Sequence, residues 1–211
     1  MVARVASIAE PPRLAEDTVD ADPLKQFAAW FKDAVAAGEI LPESMTVATS
    51  TRSGEPSARM VLLRGFDERG FGFFTNYESQ KGRDLAENPK AALVVYWAKL
   101  GRQVRVSGDV VKQSVEESAA YFHRRPLASQ ISALASPQSQ VVPNRAALEE
   151  KVAALETNYQ GKEVPLPNSW GGYRVVPKTI EFWVHRDNRL HDRIRYTRQT
   201  GGSWKIERLA P

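Results

Sequence analysis

The chain predicts a mainly β fold with flanking helices, closed as a barrel rather than laid out as a parallel α/β sheet. Short runs rich in β-branched and aromatic residues recur between residues 45 and 112. They are separated by turns such as Arg52-Ser53-Gly54-Glu55-Pro56 and Asp67-Glu68-Arg69-Gly70. Helical patterns are inserted singly instead of alternating with each strand. The C-terminal part returns to strands, with Gln199-Thr200-Gly201-Gly202 as a hairpin connection.

Residues 1–21, with Pro11, Pro12 and mixed charges, are expected to form a flexible arm, and 22–211 a single domain. Asp22-Pro23 is a helix start, with an Asp cap and Pro in the first position. Leu24, Phe27, Phe31 and Val35 recur at helical spacing, and Gly38 ends that helix. Strands are expected at Met45–Thr51, Ser57–Gly65 and Phe71–Asn76. Ser79 caps a short helix that Pro89 stops. Ala91–Trp97 and Gln103–Lys112 form a further strand pair. Ser114–Arg124 reads as helical, and Pro126 begins another helical piece. Asn144–Gln160 carries Leu148, Val152, Leu155 and Tyr159 on one stripe. Val164–Ser169 is a proline-rich connection to the final strands.

The composition narrows the chemistry. With 211 residues, 42% hydrophobic and 26% charged, the chain can bury a sizeable core. It has no cysteine, which excludes thiol catalysis, disulfides and thiolate metal sites. His123, His185 and His191 are too scattered in sequence for a zinc site, so no metal is expected. No apolar run approaches the ~18 residues of a membrane span, and no signal peptide is evident. A cytoplasmic protein without membrane or nucleic-acid partners is the expectation. The net charge of +4 suits small phosphorylated molecules, and no basic block argues for nucleic acid.

The densest chemistry lies in Ile180–Arg193, IEFWVHRDNRLHDR, which reads as strand, polar turn and strand. On a strand, Arg189, His191 and Arg193 would share one face and Asp192 the other. Three cationic or potentially cationic groups in a line call for an anion. A solvated basic edge strand explains the spacing equally well. Lys81, in the first turn after the Ser79 cap, could hold a phosphate, as could Arg59. A solvated helix lysine is the plain alternative. Tyr121 and Arg125 are four apart, with Ser129 one turn further, and could equally be an ordinary polar helix face.

The EFW and RLHDR runs, before a terminal ERLAP, resemble pyridoxine (pyridoxamine) 5′-phosphate oxidases. So do RMVLLR (59–64), FFTNYESQKG (73–82), RQVRVSG (102–108), YFHRRPLASQ (121–130), SPQSQ (136–140) and SWGGYRV (169–175). The resemblance spans Asp22 to Pro211 in the family's order. It implies an FMN-binding split β-barrel, working as a homodimer with flavin between the subunits. It also implies oxidation of pyridoxamine 5′-phosphate and pyridoxine 5′-phosphate by molecular oxygen, giving pyridoxal 5′-phosphate and hydrogen peroxide.

By that resemblance, Arg59, Met60, Val61, Leu62, Phe74, Thr75, Lys81, Gln103, Gln138, Ser139, Trp183 and Arg193 match FMN-contact positions. Arg64, Tyr121, Arg125, Ser129, Arg189 and His191 match substrate positions, the last two at the reacting end. The chain departs from the family at four points. It has Arg64 where Lys is usual, Gln80 where Arg is frequent and Val184 where Gln is usual. An Arg-Arg-Glu-Tyr segment carried by many N-terminal arms is missing. Two other readings stay open. One is a related FMN oxidase acting on another substrate, such as a phenazine-pathway intermediate. The other is a flavin or pyridoxal-phosphate binding module without turnover.

Overall fold

The computed structural model describes residues 12–211. It is a nine-stranded, wholly antiparallel sheet curled into a split barrel, with five α-helices at its flanks. In chain order these are α1 (Pro23–Ala36), β1 (Ser44–Ser50), β2 (Pro56–Leu62), β3 (Gly65–Asp67) and β4 (Gly70–Asn76). Next come α2 (Gln80–Glu87), β5 (Lys90–Trp97), β6 (Arg102–Lys112), α3 (Val115–Arg124), α4 (Leu127–Ala135) and α5 (Arg145–Asn158). The chain closes with β7 (Trp170–Val184), β8 (Asp192–Arg198) and β9 (Trp204–Arg208). Spatially the strands run β2-β1-β5-β6-β7-β4-β3, with β8 on β7 and β9 on β8.

Alternation sets the two faces of the sheet. Met45 and Val47 of β1, Leu93, Val95 and Trp97 of β5, and Val104 and Val106 of β6 all point into the core. Their neighbours Thr46, Val94 and Arg105 face out, in register across the three strands. Helix α1 plugs the barrel. Asp22 accepts a hydrogen bond from the Leu24 N–H; the helix buries Phe27, Trp30 and Ala34, whereas Leu24 and Phe31 of the expected stripe are partly buried and Val35 is exposed. Phe27 is wholly buried, with edge-to-face contacts to Phe66 and Phe71 at 4.8 and 5.0 Å. A second, smaller core gathers Phe122, Ile131, Val164 and Trp170, on which Val152, Leu155 and Tyr159 lean.

Three features differ from the sequence reading. The single strand expected over Ser57–Gly65 is broken at Leu63-Arg64. There the chain changes partners: the Leu63 N–H bonds Glu43 O, and the Arg64 N–H bonds Gly72 O. That corner turns the sheet from β1 towards β4 and leaves the Arg64 side chain exposed.

The second difference concerns the line of Arg189, His191 and Arg193. β8 begins only at Asp192, and Arg189 sits in the preceding turn with φ 60°. Period two therefore does not apply to Arg189. A left-handed residue held by hydrogen bonds to Asp187 O and Arg186 O reverses the chain there. From His191 onward the alternation holds, with Asp192 buried between two half-buried neighbours.

The third lies in the expected flexible arm. Residues 1–11 lie outside the described residues. In the rest of that stretch Leu14 is buried, and Asp20 O accepts a hydrogen bond from Tyr196 Oη at 2.7 Å. Among the described residues, no helix is long and apolar enough to cross a membrane, and no cluster of His, Asp and Glu could hold a metal ion.

Phe27→Ala would empty the centre of the aromatic cluster. It should cost about 3–5 kcal/mol, read as a lowered midpoint in chemical denaturation.

Candidate active site

A cavity of about 490 Å³ opens between β2, β4, α3 and α4, within the range of small-molecule and cofactor sites. One wall is Met60, Val61 and Leu62 of β2, followed by Arg64 at the corner. The floor is Phe74, Thr75 and Asn76 of β4. Lys81 reaches in from α2, and Tyr121, Arg125 and Ser129 from α3 and α4. Gln138 and Trp170 complete it.

At one end Lys81 is only 5% exposed. A solvated helix lysine would not be buried. Its Nζ donates to neutral oxygens: Thr75 Oγ1 at 3.0 Å, Ser79 Oγ at 3.2 Å and Gln138 Oε1 at 3.4 Å. Burial, with Arg59 adding to it and Asp84 opposing, pushes the ammonium down to about 8. The start of α2 packs tightly here. A Cβ on Gly82 would fall 2.0 Å from Tyr77 O, so only glycine allows this approach. Arg59 lies beside this end without lining the cavity. Its guanidinium donates to Thr49 Oγ1 at 2.7 Å and to Ser57, and lies 3.8 Å from buried Asp84. Asp84 is itself held by Thr49 Oγ1 at 2.6 Å and by Gln80 Nε2 at 2.8 Å. Gln80, one of the four departures, thus helps to orient the carboxylate beside Arg59.

At the other end Arg125 stacks its guanidinium over Trp170, 4.9 Å from the ring centroid. Its Nη1 is buried without a hydrogen-bond partner. Burial lowers its proton affinity below the ordinary arginine value, with Tyr121 opposing and Arg64 adding to the effect. Arg125 is the residue that ends α3, already extended at φ −71°, ψ 151°. The four-residue spacing therefore does not place it on one helix face with Tyr121, although both line the cavity. Between the two cationic ends lie near-parallel rings. Phe74 and Tyr121 are 4.0 Å apart at 12°, and Phe74 and Trp170 are 5.4 Å apart at 11°. Gly172, opposite Phe74 in the ladder, makes this possible, because a Cβ there would stand 2.9 Å from the Phe74 ring.

The remaining expected residues lie elsewhere. Gln103, Trp183 and Arg193 are direct cross-strand neighbours on β6, β7 and β8. Arg193 Nε donates to Glu181 Oε1 at 2.8 Å, and its Nη1 to Ala210 O at 2.8 Å. The His191 ring lies 4.6 Å from Trp183 and 5.4 Å from His185. Burial, then His185 and Arg189, lower the His191 pKa below its ordinary value. Arg189 is exposed in the turn. None of Gln103, Trp183, Arg189, His191 or Arg193 lines the cavity. Ser139, left-handed at φ 69°, is exposed beside Gln138 and also stands outside the wall.

Sequence reading missed Trp170, Asn76, Pro126, Ser132, Ala133 and Ser136 of the lining. The first two stood within the SWGGYRV and FFTN runs. Pro126 and Ser136 stood within the YFHRRPLASQ and SPQSQ runs, while Ser132 and Ala133 carry no signal of their own.

Comparison with known proteins bears on this arrangement. A profile described as "Pyridoxamine 5'-phosphate oxidase" matches residues 31–159. The chain belongs to the pyridoxamine 5′-phosphate oxidase family. A second profile, "Pyridoxine 5'-phosphate oxidase C-terminal dimerisation region", matches residues 170–211. Family members named pyridoxine/pyridoxamine 5′-phosphate oxidase occur in Trichormus variabilis and Salinibacter ruber. The first is 53% identical over 198 residues, covering 94% of this chain and 92% of the relative. The second is 54% identical over 200 residues, covering 94% and 93%. The crystal structure of PhzG from Burkholderia lata 383, in complex with tetrahydrophenazine-1-carboxylic acid, superposes with a TM-score of 0.89 at 31% identity, covering 96% of this chain and all of that one. An FMN-binding protein from Nostoc punctiforme, 17% identical with a TM-score of 0.72, shares the fold.

Below about pH 8 Lys81 is charged, and above it the ammonium is lost. Affinity for a phosphate monoester should therefore fall as pH rises through that value. Lys81→Met should weaken binding about ten- to a hundred-fold, the loss of a charge-assisted contact, and flatten the pH dependence. Ligand titrations between pH 7 and 9.5 check both.

Proposed function

We propose that the chain is an FMN-dependent oxidase. It converts pyridoxamine 5′-phosphate and pyridoxine 5′-phosphate to pyridoxal 5′-phosphate with molecular oxygen as acceptor, and it works as a homodimer. One observation carries this reading: a single cavity holds two separate cationic ends, Lys81 at one and Arg125 with Arg64 at the other. A flavin mononucleotide and a phosphorylated vitamer each bring one phosphate, so a site for both needs two such ends.

The residues fit FMN. Buried Lys81 makes hydrogen bonds only to neutral oxygens, and Arg59 stands beside it. Thr75 and the start of α2 add donors. Met60, Val61 and Leu62 offer an apolar wall to a flat ring. FMN, when bound, supplies the two-electron redox chemistry. The protein's own residues bind and orient. Arg125, Arg64, Tyr121 and Ser129 hold the vitamer phosphate, and the unpartnered Arg125 Nη1 gains an acceptor there. Arg64 replaces a usual Lys with a forked donor set of the same charge.

The dimer follows from what the cavity lacks. Gln103, Trp183 and Arg193 lie on the outer sheet face. Met60 is in register through Thr46 and Val94 with Arg105, two residues from Gln103. Three strand spacings, ~14 Å, thus separate the cavity wall from that row. Met60 and Tyr96, 61% and 54% exposed, are large apolar side chains left uncovered in one copy. A second copy on this face would cover them and bring its Trp183, Arg189, His191 and Arg193 to the cavity. These four lie within residues 170–211, which match the dimerisation-region profile. In that arrangement Trp183 and Arg193 serve the flavin, while Arg189 and His191 orient the reacting end of the vitamer.

The shape shared with PhzG raises a phenazine-type substrate as the second reading. Against it stand two neighbouring cations, Arg64 and Arg125, in the cavity lining: a dianionic phosphate answers both charges, whereas the single carboxylate of a phenazine acid answers one.

Purified protein should be yellow, release FMN rather than FAD on denaturation, scatter light as a dimer and consume oxygen with both vitamers. Colourless protein that cannot be reconstituted, or oxygen uptake only with a phosphate-free substrate, overturns the reading. Arg64→Ala should raise KM for the vitamers about ten- to a hundred-fold and leave FMN content unchanged.

A further inference from the structure

The turn between β7 and β8, residues 185–191, carries Arg189 and His191 but has no regular structure. A buried carboxylate at its end anchors it. Asp192, the first residue of β8, is 6% exposed. Its Oδ2 accepts from Arg186 Nε at 2.9 Å, from Arg186 Nη2 at 2.7 Å and from the Leu14 N–H at 3.3 Å. Its Oδ1 accepts from Arg208 Nη1 at 2.9 Å. The two arginines also clasp the chain around Leu14, Arg186 Nη2 through Pro12 O and Arg208 Nη2 through Leu14 O, each at 2.9 Å. Asp192 therefore joins three parts of the chain: the stretch 12–14, the turn, and the end of β9.

The same arginine touches the histidine. The Arg186 main-chain N–H donates to His191 Nδ1 at 3.0 Å. An imidazole nitrogen that accepts carries no proton, so neutral His191 bears its hydrogen on Nε2. His185 and Arg189 are the charged or titratable groups that act on this ring, and both disfavour its protonated form. Trp183 packs against it without competing for either nitrogen through a hydrogen bond.

We propose that Asp192 is a positioning residue for His191: by gripping the Arg186 side chain it holds the Arg186 N–H on Nδ1 and so sets the ring's orientation and tautomer. The inference rests on the reading that His191 works at the reacting end of the substrate. The carboxylate is held in its ionised form in this place. Burial alone would raise its pKa, but hydrogen bonds from Arg186, Leu14 and Arg208 outweigh it and lower the value. Replacing it with an amide would leave two guanidinium groups facing a neutral side chain that carries donors of its own. Arg186 would then relax, and its main-chain N–H with it.

The test uses the full-length flavoprotein with Asp192→Asn, Arg186→Met and Arg186→Lys. In wild type, the imidazole nitrogen resonances of His191 should show an unprotonated Nδ1 and a protonated Nε2. Resonances are assigned against His123→Gln and His185→Gln. Asp192→Asn and Arg186→Met should move His191 towards averaged tautomers, with FMN content unchanged. kcat should fall on the order of tenfold, the usual effect of losing a group that orients a functional histidine, with KM little altered and the pH profile of kcat displaced. Arg186→Lys, which keeps a cation for Asp192, should retain most of the wild-type spectrum and rate. Folded Asp192→Asn with wild-type His191 resonances overturns the proposal. If that variant does not fold, unchanged resonances in Arg186→Met overturn it. The spectra need no turnover. A shifted tautomer in protein that oxidises neither vitamer supports the positioning role and refutes the functional reading instead.

Discussion

Strand β7 is the constraint on which the architecture rests. Along its fifteen residues it hydrogen-bonds three other strands: β6 over most of its length, β4 at its first half and β8 at its second. Backbone groups buried this deeply must all be paired, so the three ladders fix one another's register. The first half delivers Trp170 and Gly172, which admits the Phe74 ring. The second half delivers Trp183, and through β8 it sets where His191 and Arg193 emerge. One strand therefore supplies both the cavity and the outer row, at opposite ends.

The charges follow a matching division. In the structural network at the end of β8, every cation has its carboxylate: Arg186 and Arg208 share Asp192, and Arg208 also meets Glu16. In the cavity the balance is left open. Lys81 is surrounded by hydroxyl and amide oxygens, and Arg125 by aromatic faces. Burying cations without partners opposes folding. That cost makes sense in a site whose anions arrive as ligands, and two such places in one cavity are the physical core of the functional assignment.

The N-terminal stretch gains meaning from the same network. The family's arm segment is missing here, yet residues 12–20 are not idle. Leu14 is buried, and its backbone meets both Asp192 and Arg208. What precedes β1 is thus tied to the turn that carries the reacting-end residues. That connection runs through the Asp192 carboxylate on the inward face of β8 and through Arg186, which donates to Pro12 O.

The sequence by itself determined the local parts. Asp22 and Ser79 were legible as caps because a side-chain oxygen beside free N–H groups is a local interaction. The strands β1 and β5 were legible because a run of β-branched and aromatic residues is a local signal as well. Motif runs named the family and most of the cavity wall. Only the tertiary structure decided what depends on distant partners. The break at Leu63-Arg64 exists because Glu43 and Gly72, remote in sequence, compete for adjacent N–H groups. Arg189 leaves the strand pattern because β7 must turn back within the seven residues 185–191, and a left-handed residue makes that turn. Lys81 is buried because α2 packs onto β1 and sends the lysine towards Thr75 of β4, and no periodicity in an eight-residue helix reveals that. The split of the expected flavin residues into a cavity and a separate outer row is likewise a matter of sheet order. Sequence lists them one after another, but β1 and β5 stand in space between the β2 wall and the row that begins on β6.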